Sequence, residues 1–235
     1  VSSDGMNLWH ELVVRVSGTG APSVFELWPA LAMGVLVVAW PTARRWGRAL
    51  VTIVHEAGHG FVGILVGRRF EGFVVSRELG GHAITAGKTR GPGRVLTTWA
   101  GYPAPALLGA VTVAVAMRGW SGALLILAAV AFVVLLLMSR SLRTAVLVVC
   151  AIIATGALWW WGWHWRDGVL VGVGLALLVG AWDSLRDVAS SRDAGQDHRT
   201  LAQLTVLPAW FWLVTWFLVD AAASAVAVKA LLAAF

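Results

Sequence analysis

Residues 47–67 read GRALVTIVHEAGHGFVGILVG. The run has the length of a membrane-crossing helix, which needs about 20 mainly apolar residues. It nevertheless carries His55, Glu56 and His59 near its middle. Ionisable side chains at that depth are costly, and are kept where function requires them. The stretch sets two expectations: a chain that lives in a bilayer, and a reactive group held inside it.

The rest of the chain agrees with the first expectation. Of its 235 residues, 59% are hydrophobic and 13% charged, against about 45–50% and 25% in soluble domains. Mean hydropathy is +0.78. These values exclude a disordered chain, a water-soluble enzyme and a disulfide-stapled secreted domain. Cys150 is the one cysteine, so no internal disulfide forms. A net charge of +6 does not indicate nucleic acid, because the 18 basic residues are scattered between apolar runs. They are expected to set orientation and to meet the anionic headgroups of a lipid bilayer. The Trp-rich run at 159–163 reads as part of an interfacial belt.

The fold expected is an all-α polytopic membrane protein of about six to seven transmembrane helices. Candidate spans are 24–41, 47–67, 93–117, 120–138, 144–163, 168–185 and 206–233. Residues 1–23 form a polar N-terminal segment without a signal-peptide pattern, and 24–235 a single membrane domain. Within it, the loop 68–92 mixes β-prone residues with Gly80-Gly81, which predicts a short hairpin at the membrane surface. Alternate loops of the seven-span arrangement hold twelve basic residues, including Arg15 and Arg186, against six that include Arg44, Arg45 and Arg48. The positive-inside rule then predicts an N-in, C-out chain, with the Arg44 cluster on the wrong side.

The chemistry rests on His55-Glu56-Ala57-Gly58-His59. On a helix, positions i and i+4 share a face, so both imidazoles reach one metal ion. Glu56 can then serve a metal-bound water as general base, zinc having lowered that water's pKa toward about 7. With six His in the chain, chance would supply the pattern about 0.003 times. A third protein ligand is needed, with a fourth position left for water. Val62 and Leu65 stand where a metzincin would carry Gly and His, and no Glu follows Glu78. The third ligand is therefore expected to be Asp or His. Asp183, near the end of a span with Arg186 one turn on, and Asp220, deep in the last span, both qualify. His10, His164 and His198 read as surface residues.

The chain resembles the site-2 protease family of intramembrane zinc metallopeptidases, in its compact bacterial branch without PDZ or CBS domains. The resemblance is carried by His55–His59, by Gly80-Gly81-His82, by Ala100-Gly101-Tyr102-Pro103 and by Asp197-His198-Arg199-Thr200-Leu201-Ala202. It covers residues 47–215 loosely, and the family's L-D-G tripeptide is absent. It implies that His55, His59 and Asp197 hold Zn2+ and that Glu56 is the catalytic base. It further implies that Gly80, Gly81 and His82 border a strand along which an unwound substrate segment pairs. The activity implied is hydrolysis of a peptide bond in or near a membrane-spanning helix, in a bacterial cell membrane. The alternative expectation is a catalytically silent membrane module that binds metal or a partner.

Overall fold

The computed structural model describes residues 3–75 and 81–233. In chain order the elements are α1 (Ser3–Val16), a 3-10 turn (Val24–Leu27), α2 (Trp28–Ala39), α3 (Pro41–Leu65), β1 (Arg69–Val75), β2 (Gly81–Ala86), α4 (Pro92–Trp99) and α5 (Pro103–Ala116). There follow α6 (Ser121–Leu137), α7 (Leu142–Trp161), α8 (Arg166–Ser190), α9 (Asp197–Leu204) and α10 (Ala209–Leu232). The protein is a polytopic helical membrane protein.

Helices α7, α8 and α10 are each long and apolar enough to cross a membrane. Two bent pairs, one made by α2 and α3 and one by α4 and α5, raise the number to five if each is one crossing, and α6 is a shorter apolar helix. If each bent pair is one crossing, the apolar runs 24–41 and 47–67 do not count as two. They meet at a bend of 106°. Its cause is local: Pro41 opens α3, and the residue before a proline is driven out of the helical region. Trp40 accordingly sits at φ −119°, ψ 110°. With 12 residues, α2 is about 18 Å long and stops short of a roughly 30 Å hydrocarbon core. The run 93–117 also breaks, by 59° between α4 and α5, where Pro103 opens α5 while Tyr102 itself stays helical at φ −63°, ψ −42°.

Helix α8 is the central element and packs on α2, α3, α5, α6 and α10. Its closest neighbour is α5. A Cβ at Gly109 would lie 2.6 Å from the Gly174 carbonyl oxygen, and one at Gly174 would lie 2.7 Å from that of Gly109. Paired glycines let the two backbones touch, the small-residue packing that membrane helices favour. Ala106, Ala110, Val113, Val171, Leu178, Ala223 and Ala227 fill the core around this contact.

The hairpin expected in 68–92 is present. Strands β1 and β2 are antiparallel, from Arg69 opposite Ala86 to Val75 opposite Gly81. The register shifts between Phe70 and Gly72, where Gly72 adopts φ +131°. A Cβ there would lie 2.7 Å from the Met138 carbonyl oxygen, and Arg140 Nε donates to the Glu71 carbonyl oxygen at 2.6 Å. The bulge thus fastens the hairpin to the loop joining α6 and α7. Gly80 lies outside the described residues, as does the side chain of His82.

The grouping of charges differs from the sequence expectation. Arg44 and Arg48 pair with Asp183 and Asp187 at the C-terminal end of α8, so they share an end of the bundle with Arg186. Asp183, weighed as a third metal ligand, is engaged by Arg44 instead. Arg15, grouped with Arg186 by the seven-span count, lies at the opposite end of α8. There its guanidinium sits over Trp159, Trp160 and Trp163, and its carbonyl oxygen accepts from Arg166 Nη1 at 3.0 Å. Both differences follow when α2 and α3, bent at Trp40-Pro41, are taken as one crossing, which removes one from the count.

Candidate metal centre

Helix α3 carries His55 and His59 on one face, with Nε2 atoms 3.0 Å apart. Asp197 opens α9 and brings its Oδ2 to 3.5 Å from His55 Nε2 and 3.3 Å from His59 Nε2. Three donors bound to one tetrahedral zinc at about 2.0–2.2 Å would stand about 3.3–3.6 Å apart. The observed triangle has that size, and the donor set fits the ion. Among the described residues, His55, His59 and Asp197 form the group able to hold a metal. Asp183 lies at its ion pair with Arg44. Asp220 is buried on α10, with Oδ1 lacking a hydrogen-bond partner. Neither joins the two imidazoles. Glu56, partly buried, follows His55 on α3.

The geometry is prepared by the break between α4 and α5. A helix leaves its last carbonyls without intrahelical partners, and Thr97, in the last turn of α4, offers its oxygen to His59 Nδ1 at 2.7 Å. A carbonyl can only accept, so Nδ1 carries the proton and Nε2 presents its lone pair toward His55 and Asp197. A ring nitrogen held by a carbonyl is the usual support of a metal-binding histidine. Gly101, in the break itself, leaves the room: a Cβ there would lie 2.7 Å from His55 Cε1 and would run into the His59 ring. Gly58 lets α3 approach closely, since its Cβ would meet the Ala100 carbonyl oxygen at 2.8 Å.

Asp197 is held electrostatically as well as sterically. Burial works to raise its pKa, but the neighbouring imidazoles of His55 and His59 outweigh burial and hold the carboxyl below the usual range. It is therefore a carboxylate, as a ligand must be. His198, expected at the surface, is instead buried. Burial, then the charge of Arg199, keeps its imidazole below the ordinary pKa. Helix α9 is anchored by Leu201, fully buried with Leu185, Val188 and Trp216. Beside the three donors a cleft of about 370 Å³ is lined by Arg48, Thr52, Tyr102, Asp183, Asp187 and Gln196, among others.

Thr97 and Gln196 were not singled out from the sequence, and Gly101 and Tyr102 only as part of a motif. The signal for all but Gln196 was the Gly-x-Pro step at 101–103, which marks a helix break inside an apolar run.

A helical bundle with two histidines and an aspartate converging inside it defines a membrane protein with a metal-type site. The Peptidase M50B-like family model matches residues 28–227. The chain belongs to that family, the site-2 protease-like intramembrane metallopeptidases. No curated protein and no solved structure matches it.

Proposed function

We propose that the protein is a zinc-dependent intramembrane protease that hydrolyses a peptide bond in or near a membrane-spanning helix of another protein. The observation that supports this best is the triangle of His55, His59 and Asp197, with edges of 3.0, 3.5 and 3.3 Å. Zinc bound there would supply Lewis acidity toward a water and a peptide carbonyl. Glu56 takes the proton of the attacking water on its carboxylate and later passes it to the leaving amine nitrogen. Thr97 keeps His59 in the tautomer that presents Nε2. Gly101 leaves the open face against the imidazoles. A substrate helix must unwind locally before its carbonyl can enter, since a helical carbonyl is already hydrogen-bonded. As the resemblance implies, Gly80, Gly81 and His82 would border the strand along which the unwound substrate segment pairs.

The end of the bundle that carries the metal group also gathers Arg44, Arg48, Arg140, Arg186 and Arg199. By the positive-inside rule it faces the cytoplasm of a cell membrane, and that of a bacterium by the resemblance above.

The test is cleavage of a single-span reporter protein by the purified chain in lipid. Wild type should cleave, with loss on zinc chelation and return on adding zinc. Glu56→Gln should retain about one zinc per chain and lose cleavage by a factor of about 10² or more. Turnover surviving in Glu56→Gln would sink the mechanism. Stoichiometric zinc without cleavage of any reporter would favour a silent metal-binding module.

A further inference from the structure

The chain's one tyrosine, Tyr102, touches His55 of the metal triangle and Gln196, the residue before Asp197. Its ring meets the His55 imidazole edge to face, with centroids 4.6 Å apart and planes at 87°. Its other side stacks on Trp216, at 4.3 Å and 26°. Trp216 is fully buried, and its Nε1 donates to the Trp99 carbonyl oxygen at 3.0 Å, so it forms a fixed wall. The phenol hydroxyl donates to Gln196 Oε1 at 3.2 Å. Gln196 immediately precedes Asp197, and its carbonyl oxygen accepts from the backbone nitrogens of Arg199 and Thr200 at 3.0 Å each. It thereby starts α9 and sets where Asp197 stands. The body of α9 rests on the same wall through Leu201.

We propose that Tyr102 is a positioning residue that clamps His55 on α3 to the Gln196–Asp197 step of α9, setting metal affinity through the third ligand. The histidines are two residues of one helix and need little help to stay together. Asp197 comes from the far side of a loop that includes exposed residues at 192–195, so its approach depends on ties such as this one. Outer groups that orient a ligand are worth about 10–100-fold in metal affinity or activity. This inference rests on the metal-centre reading of the preceding section.

The experiment measures zinc affinity of the full-length chain in detergent by chelator competition, beside the absorption spectrum of the cobalt-substituted protein. Variants are Tyr102→Phe, Gln196→Ala, their double, and Asp197→Ala as reference. Tyr102→Phe and Gln196→Ala should each weaken zinc about 10–100-fold. The double should be no worse than the weaker single, because both remove one hydrogen bond. Their cobalt ligand-field bands should shift toward those of Asp197→Ala, a change that general loosening of the bundle would not produce. Wild-type affinity in both singles, or losses that multiply in the double, would overturn the clamp. If Tyr102→Phe does not elute as a single species, Gln196→Ala decides alone, since its change lies at the loop. A wild type that binds no zinc would remove the metal centre and the clamp with it, a result distinct from any difference among the variants.

Discussion

His59 is oriented by the fold before any metal arrives, because the Thr97 carbonyl oxygen holds Nδ1. Gly101 is the counterpart in space. Gly101→Ala would push a methyl into both imidazoles, with no room to relax inside the break. It should reduce zinc affinity by at least 10-fold while the helical content of the chain stays unchanged, read by chelator competition and circular dichroism. Retained affinity would mean that α3 and the break can separate freely. His198 gives a separate, pH-dependent prediction. Its folded pKa is depressed below the ordinary 6.5, so the unfolded chain takes up the proton more readily. The stability it contributes is present above about 6.5 and lost as pH falls through that value. The thermal midpoint of chelator-treated protein should therefore fall between pH 7.5 and 5.5, and His198→Leu should flatten that profile. At this scale the sequence was legible only where chemistry is local. His55-Glu56-Ala57-Gly58-His59 is written in one turn of helix, whereas Asp197, Asp183 and Asp220 were separable only by where the chain carries them.

The elements show the same limit. Each apolar run became helix, and the loop 68–92 carries two strands, the second opening at Gly81. The breaks at Trp40-Pro41 and Ala100–Tyr102 escaped a reading by hydropathy, which averages over the residues that end a helix. They are nonetheless the devices that build the site. The first turns α3 across the bundle, and the second frees the Thr97 carbonyl and makes room at Gly101. Packing of α5 on α8 then holds α4 and α5 in place through Gly109 and Gly174. Gly109→Leu should destabilise by about 1–3 kcal/mol through overpacking and weaken zinc as a secondary effect. The measurement is the denaturation midpoint in detergent, with Leu107→Ala, an exposed position on the same helix, as the mild comparison.

For the whole molecule, the bend changes which end of the bundle is which. With α2 and α3 as one crossing, Arg44 and Arg48 join Arg140, Arg186 and Arg199 at the end that holds the metal group. Arg15, Arg118 and Arg166 stand at the other, where Arg166 is buried beneath Trp163. The cluster that contradicted the seven-span count thus becomes its best evidence for orientation, and the N-terminal segment moves to the far side from the metal group. Charge bias of this kind orients membrane proteins during insertion, so it can be checked in whole cells without any activity. Cys150 is first replaced by serine to give a background without thiols. Single cysteines at Ser191 and Ser139 should then resist a membrane-impermeant thiol reagent in intact cells and react once the membrane is opened. A cysteine at Gly20, in the exposed loop ahead of Val24, should react in both states. The reverse pattern would place the metal group on the outer face and require substrates to present their cleavable segment there. Equal reaction of all three in intact cells would show that the charged end does not set the orientation.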